Sequence, residues 1–414
     1  MHILFLTDNF PPEVNAPASR TFEHCREWVA AGHEVTVVTT APNFPKGRLL
    51  DGYRNRLVQT EVMAGIRVVR VWSYIAANEG AAKRMIDYVS FALTGSLAAL
   101  FVRRADVIVA TSPQWFTSWA GCFVGMLKRR PWVFELRDIW PESIRTVGAM
   151  NNERLFRWLE RIELFLYRRA AAVVSVTHSF KDNLVSRAIA ADKIAVVTNG
   201  ADLDRFTPRP KDAALVRELG LEGKFVAGYI GTHGMAHALE TVLDAARLIA
   251  ARPGGDRYRF LLLGDGAEKA RLVARAAELG VSNVLFLDTV PKDEVARYWS
   301  LLDTSIVHLK DTPLFRTVIP SKLFECMAMG LPVLHGVRGE SADIVEREGV
   351  GSTFSPEDAE ALVEAVVAIA DDPEARRHMQ RRGPEAARRY DRRELARRMA
   401  GILENVAARR PPSA

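Results

Sequence analysis

Two residues in one apolar segment carry the clearest chemical signal in this chain. Lys322 and Glu325 stand three apart within residues 319–333, IPSKLFECMAMGLPV. Pro320 and Ser321 read as a helix start with Ser321 as N-cap, and Gly330 before Leu331-Pro332 reads as the stop. The helix is then about two turns long, and residues three apart share one side of it. Phe324, Cys326, Met327, Ala328 and Met329 leave almost no polar face, so the segment should be buried. A buried ammonium and carboxylate are costly unless something satisfies them. One arrangement is an ion pair at the helix start. The other is a ligand with hydroxyls for Glu325 and phosphate oxygens for the helix N-terminus, where free N–H groups favour an anion.

Two further stretches suit close approach to phosphate. Residues 231–237, GTHGMAH, follow the apolar run 225–230 and precede a helix, and Gly264-Asp265-Gly266 follows the run 260–263 in the same way. Neither is a GxGxxG, and the first half has none, which counts against a nicotinamide or flavin enzyme. Asp138, in ELRDIW, lies just past the run 132–136. It is placed either to cap or pair with Arg137 or Arg145, or to face a ligand at a strand end.

The elements that must position these residues alternate in type. Residues 3–6 read as a strand, 18–31 as a helix closed by Gly32, and 34–40 (EVTVVTT) as a second strand, a βαβ unit and hence a parallel sheet. The connection 7–17, TDNFPPEVNAP, is long, carries three prolines and leaves the carboxyl end of the first strand, where such sheets bind ligands. Strands at 67–71, 107–110, 132–136, 173–176 and 194–197 complete a first set. A second set follows at 225–230, 260–263, 284–287, 305–308 and 333–336, with helices at 239–251 and 269–279 between its members. Asn199-Gly200-Ala201-Asp202 with Pro208 and Pro210 reads as the linker. The expected fold class is α/β, two doubly wound Rossmann-like domains facing a central cleft, with domains at 1–200 and 201–385. A C-terminal helix at 386–414, resumed after a break at Gly383-Pro384, should pack back toward the first domain.

The remaining composition narrows the function classes. The chain has 414 residues, a formal net charge of +6 and three widely spaced cysteines, Cys25, Cys122 and Cys326. Residues 371–414 hold 12 Arg against 7 Asp or Glu, a balance of +5, so the body is nearly neutral and no nucleic-acid partner is expected. No disulfide framework or metal site follows from the cysteines. The N-terminus lacks a basic n-region, and no run reaches the roughly 18 apolar residues of a membrane span. A cytoplasmic setting is the expectation. Helix 85–101 is mostly apolar and bracketed by Lys83, Arg84, Arg103 and Arg104; helix 115–127 ends in Lys128-Arg129-Arg130. These are core helices, or their outer faces lie in an anionic headgroup layer at the inner face of the membrane.

Taken together, VVTNGADLDRFTP, GYIGTHGMAHALETVLDAA, LLLGDG, VPKDEVARYWSLLD and PSKLFECMAMGLPVL resemble retaining nucleotide-sugar glycosyltransferases of family 4, which have the GT-B fold. The opening DNFPPEVNAPASRTFEHCREWVAAGHEVTVVTTAPNFPKG and ELRDIWPES resemble the branch that builds bacterial O-antigen, capsule and exopolysaccharide repeat units. The resemblance implies transfer of an N-acetylated aminosugar or deoxysugar from a UDP-sugar to a lipid-linked (polyprenyl diphosphate) saccharide, without a cofactor. It implies donor contacts from Gly231, Thr232, His233, His237, Gly264, Asp265, Val290, Thr317, Ser321, Lys322, Leu323 and Glu325, and acceptor contacts from Asn15, Ala16 and Arg20. Glu325 matches the second glutamate of the family's Glu-x7-Glu motif, which holds the donor ribose. The first glutamate, for the donor sugar, is here Thr317. The family's diphosphate-gripping arginine and lysine are replaced by Thr232 and His237, which leaves Lys322 as the cation for the leaving group. Asp138, Lys322 and Glu325 are the expected catalytic set, with Asp138 orienting a hydroxyl and stabilising charge on the sugar ring. Two flanking carboxylates of the glycosidase kind are not in evidence. Asp202-Leu203-Asp204 formally matches the metal-holding Asp-x-Asp of the other glycosyltransferase fold, but it lies in the linker, so a turn role and a metal-free reaction are expected. Two other readings fit the residues: a sugar-nucleotide epimerase of this fold, and a non-catalytic sugar-nucleotide-binding subunit.

Overall fold

Apolar, β-branched runs become the buried strands of two parallel sheets, as expected when helices cover both sheet faces. The computed structural model describes residues 1–44, 47–75, 81–112, 114–140 and 153–408. It divides into two units, Met1–Asn199 with the chain from Arg392 onward, and Gly200–Asp391.

In the first unit the sheet order is β3-β4-β2-β1-β5-β6-β7-β8. These strands are β1 (His2–Leu6), β2 (Glu34–Thr40), β3 (Val58–Met63), β4 (Ile66–Val71), β5 (Val107–Thr111), β6 (Trp132–Leu136), β7 (Ala172–Ser175) and β8 (Ile194–Val196). All pair in parallel except β3 with β4, an edge hairpin. The turn at Ala64-Gly65 has positive φ at both residues, the geometry that two-residue hairpins favour. The sequence reading missed β3 because VQTEVM has mixed polarity and lies at an edge, never fully buried. The chain runs outward from β1 on one side and returns through β5 on the other, so the switch point lies at the carboxyl ends of β1 and β5.

The helix Arg392–Ala408 packs in this first unit. Leu395, Met399, Ala400 and Leu403 share a core with Ile3, Phe5, Cys25 and Trp28. The Trp28 indole N–H donates to the Ala396 carbonyl at 2.8 Å. Helices Ala81–Phe101 and Trp115–Lys128 lie side by side. Their outer faces carry Leu93, Leu97 and Phe101, which are 68%, 60% and 78% exposed, together with Ile86, Phe123, Met126 and Leu127. Lys83, Arg84, Arg103, Arg104 and Arg129 are exposed at the helix ends. Lys128 is not part of that basic fringe, because its ammonium donates to the carbonyls of Leu100 and Val102.

In the second unit the order is β11-β10-β9-β12-β13-β14. The strands are β9 (Phe225–Ile230), β10 (Tyr258–Leu263), β11 (Val284–Leu287), β12 (Thr304–His308), β13 (Val333–Gly336) and β14 (Gly351–Thr353), all parallel. The reversal falls between β9 and β12, so Gly231, directly after β9, stands at the switch point. The break expected at Gly383-Pro384 is not there. Both residues lie inside the helix Pro373–Ala387, and the chain turns at Arg388–Tyr390 instead. Pro384 removes one N–H, and the Gln380 carbonyl it would have bonded lies against Gly330. Gly330 and Gly383 let the helix Lys322–Ala328 close on this helix, with the Cα of Gly330 3.4 Å from where a side chain on Gly383 would begin.

Candidate functional site

The loops after β9 and β10 touch backbone to backbone, and this contact dictates their glycines. Gly264 has φ +147°, and a Cβ there would lie 1.9 Å from the Gly231 carbonyl oxygen. Gly231 has φ +145°, and a Cβ there would lie 2.8 Å from Lys322 Nζ. Two hydrogen bonds lock the loops, His233 N–H to the Asp265 carbonyl and Glu268 N–H to the His233 carbonyl, both 2.9 Å. Asp265 Oδ1 accepts from the Gly266 N–H at 2.8 Å, which fixes its own turn.

Lys322 reaches this junction from the first residue of the helix Lys322–Ala328. Its ammonium lies 3.3 Å from the Tyr229 ring centroid. Nζ is buried and has no hydrogen-bond partner, so the ion pair with Glu325 that the spacing allowed is not formed. Burial pushes the lysine down to about 7, against the opposing pull of Cys326 and Glu325. Glu325 is half-buried one turn further on. The Tyr229 hydroxyl donates to the Thr232 carbonyl at 2.8 Å, and its ring lies 6.0 Å from that of His233 and 5.7 Å from that of His237.

Both histidines are neutral. His233 is fully buried, neither ring nitrogen has a partner, and burial with Lys269 and Lys322 lowers it to about 4. His237 Nδ1 is likewise buried without a partner, and burial with Lys322 and His308 lowers it to about 3. His308 holds the loop from behind. Its Nε2 accepts from the Glu357 N–H at 2.9 Å, which leaves Nδ1 to donate to the His237 carbonyl at 2.8 Å. The result is a buried ammonium and neutral imidazoles around converging glycine turns, a set that lacks an anion.

The other expected residues are placed differently. Ser321 flanks the helix but does not cap it: its backbone is already helical and its side chain makes no cap hydrogen bond. Leu323 is a core residue whose side chain is fully buried, and its N–H is taken by the Pro320 carbonyl. Val290 packs half-buried against the same core. Thr317 closes a short turn, its hydroxyl donating to the Leu314 carbonyl at 2.7 Å. Thr232 and Asp265 are exposed. Asp202 Oδ1 accepts from the N–H groups of Asp204 and Arg205, so the Asp-x-Asp is a turn. Among the described residues no group of three or more His, Cys, Asp or Glu is arranged to hold a metal. A cavity of about 330 Å³ along the 234–241 loop is lined by Glu240, Asp244, Glu268, Glu357, Arg271 and Lys310. Arg271 is already paired with Glu240 and Glu268, so this carboxylate-rich space is unsuited to phosphate.

In the first unit, Asp138 is half-buried just past β6, its N–H donating to Ser112 Oγ at 3.2 Å. Arg145, one candidate partner for it, lies outside the described residues. Asn15 caps the helix Ala16–Ala30 by accepting from the Ala18 N–H at 2.8 Å, and Ala16 is exposed. Arg20 does not fit an acceptor contact. It is buried, pairs with Glu135 at 2.9 Å, and donates to the carbonyls of Val197 and Thr198 at 2.9 and 2.6 Å. Tyr229 and His308 went unrecognised in the sequence. Their strand-end positions were visible, but the contacts that matter are with the 231–237 loop.

A glycosyl transferase 4-like domain model matches residues 15–200, and a glycosyl transferases group 1 model matches residues 224–372. Among curated proteins, the chain is 26% identical over 382 residues to an Escherichia coli protein assigned to colanic acid biosynthesis as glycosyl transferase WcaI, covering 88% of this chain and 91% of that one. Among solved structures it resembles sucrose-phosphate synthase from Thermosynechococcus elongatus, with TM-score 0.76, 18% identity and coverage of 98% and 99%. It also resembles Anabaena Alr3699/HepE in complex with UDP and glucose, with TM-score 0.74, 19% identity and coverage of 98% and 100%. With a glycosyltransferase model matched in each half and two parallel-sheet α/β domains of the GT-B architecture, the chain belongs to the GT-B glycosyltransferases.

Proposed function

We propose that the second unit binds a UDP-sugar, that the first unit binds a lipid-linked saccharide acceptor, and that the enzyme joins them with retention of configuration in surface polysaccharide synthesis. One observation carries the reading: Lys322 keeps a buried ammonium with no acceptor at the junction of two glycine turns. A diphosphate supplies the missing charge, and the imidazole N–H of His237 can donate to it without being charged. The Anabaena neighbour, solved with UDP and glucose, and the E. coli relative in colanic acid biosynthesis support the same assignment.

In this reading the acceptor oxygen bonds to the anomeric carbon on the face that the diphosphate leaves. The sugar–phosphate C–O bond breaks, and the acceptor proton passes to a phosphate oxygen of the leaving UDP. Lys322 stabilises the charge that develops on UDP. Glu325 accepts from the ribose hydroxyls, and Asp138 orients a hydroxyl beside the reacting carbon. No metal takes part, and the transferred group is an N-acetylated aminosugar or a deoxysugar.

The acceptor's lipid implies work at a membrane surface. No helix among the described residues is long and apolar enough to cross a bilayer. The ridge of Ile86, Leu93, Leu97 and Phe101 with its fringe of exposed lysine and arginine suits shallow docking on anionic headgroups at the cytoplasmic face.

The test is incubation with a panel of UDP-sugars, with and without a polyprenyl-diphosphate sugar. Transfer that needs both substrates is the expected result. Epimerised donor without acceptor, or binding without turnover, would overturn it. If Glu325→Ala left UDP affinity and turnover intact, the placement of the nucleotide would be wrong.

A further inference from the structure

Around the carboxyl end of β6 the first unit gathers three arginines, and two of them are hydrogen-bonded to a carboxylate. Arg20 is held by Glu135 and two carbonyls. Arg392 is paired with Glu23. Arg137 has no such partner. Its Nε and Nη1 are buried with no hydrogen-bond acceptor, and its backbone N–H donates to Ser112 Oγ at 2.8 Å. The groups facing this space give those two nitrogens no acceptor. Glu135 attracts Arg137 electrostatically, but its Oε1 is taken by Arg20 and its Oε2 accepts no hydrogen bond. His24 is buried and held well below the ordinary histidine value by burial, Arg20, Arg392 and Arg137, so it is neutral. Asp138 follows directly in sequence, but Nε and Nη1 of Arg137 do not reach it.

A guanidinium with two buried, unsatisfied donors costs stability. Its flat fork matches the oxygens of a phosphoryl or carboxylate group. It also stands at a strand end near Asp138, on the side of the sheet where such folds take ligands. We propose that Arg137 binds an oxyanion, phosphoryl or carboxylate, carried by the saccharide acceptor. The proposal rests on the reading that the first unit takes the acceptor, and it adds that this acceptor is anionic near its sugar.

The experiment uses the full chain as wild type, Arg137→Met and Arg137→Lys, all with UDP held constant so that phosphate sites of the second unit are equally filled. Thermal stability and affinity are measured with glucose 1-phosphate, glucuronic acid and glucose. Wild type should bind one of the two charged sugars roughly ten- to a hundredfold more tightly than glucose, and which one it prefers tells phosphoryl from carboxylate. Arg137→Met should lose that preference, Arg137→Lys should keep part of it, and Arg137→Met without ligand should melt at the wild-type temperature or above. The inference is overturned if wild type binds all three alike. It is also overturned if Arg137→Met melts lower than wild type while keeping the preference, the behaviour of a purely structural arginine. Absence of sugar transfer with any UDP-sugar would instead remove the proposed function and leave the anion measurements standing on their own.

Discussion

Binding of UDP should draw a proton onto Lys322, and the amount follows from its surroundings. Burial brings the free ammonium from 10.5 to about 7, and a diphosphate alongside returns it to the ordinary lysine range. At pH 8 the free protein then holds roughly 0.1 proton on this group and the complex nearly one, an uptake of about 0.9 per UDP; at pH 6 the uptake is only about 0.1. By the same linkage UDP affinity should fall roughly tenfold for each pH unit above 7. His233 and His237, lowered to about 4 and about 3, stay neutral in the free protein across this window. Titration calorimetry in buffers of differing ionisation enthalpy reads the uptake directly. Stability gives an independent check of sign. The folded lysine titrates below its unfolded value, so between pH 7 and 10.5 the unfolded chain binds more protons and the ligand-free protein gains stability as pH rises. The full gain is on the order of 5 kcal/mol at most, and Lys322→Met should abolish it. Uptake near zero at pH 8 with UDP still bound, or a Lys322→Met protein that keeps both affinity and uptake, would refute the reasoning.

Gly264→Ala would place a Cβ 1.9 Å from the Gly231 carbonyl oxygen, so urea unfolding should show a loss of about 2 to 4 kcal/mol. Arg20→Met should cost about 3 to 5 kcal/mol by stranding buried Glu135, with much of it restored in the double variant with Glu135→Met; unchanged melting would mean that the pair contributes nothing. Leu97→Asp with Phe101→Asp should weaken co-sedimentation with anionic vesicles while melting and UDP affinity stay as in wild type. Activity should be unaffected by a chelator, and its loss with recovery on adding a divalent ion would reverse the metal-free assignment.

Much of this was written in local sequence. Lys322 and Glu325 stood out because charge inside an apolar segment needs a reason, and glycines at 231, 264 and 266 marked strand ends where backbone comes close. Those signals are short-range, and the structure brings the segments that carry them, around Gly231, Gly264 and Lys322, into contact. What stayed hidden depends on partners far away in the chain. Arg20 looked available beside a ligand loop, but Glu135 and Val197 that consume it lie more than a hundred positions away. His233 read as a phosphate-facing loop residue, and only the packing of the 264–268 turn over it shows that it is sealed and neutral. Arg137 was legible merely as a neighbour for Asp138, because the lack of an acceptor for its buried Nε and Nη1 shows only once the chain is folded.

The placement of the helix Arg392–Ala408 sets an order of events during synthesis. Its leucine and methionine side chains complete the core around Trp28 and Cys25, yet they leave the ribosome only after all of Gly200–Asp391 has been made. The half of the molecule that is translated earliest is therefore the half finished last, and until then the apolar surface around Trp28 stays uncovered. A nascent chain stalled before residue 392 should be able to fold its second unit while its first remains open to chaperones and proteases.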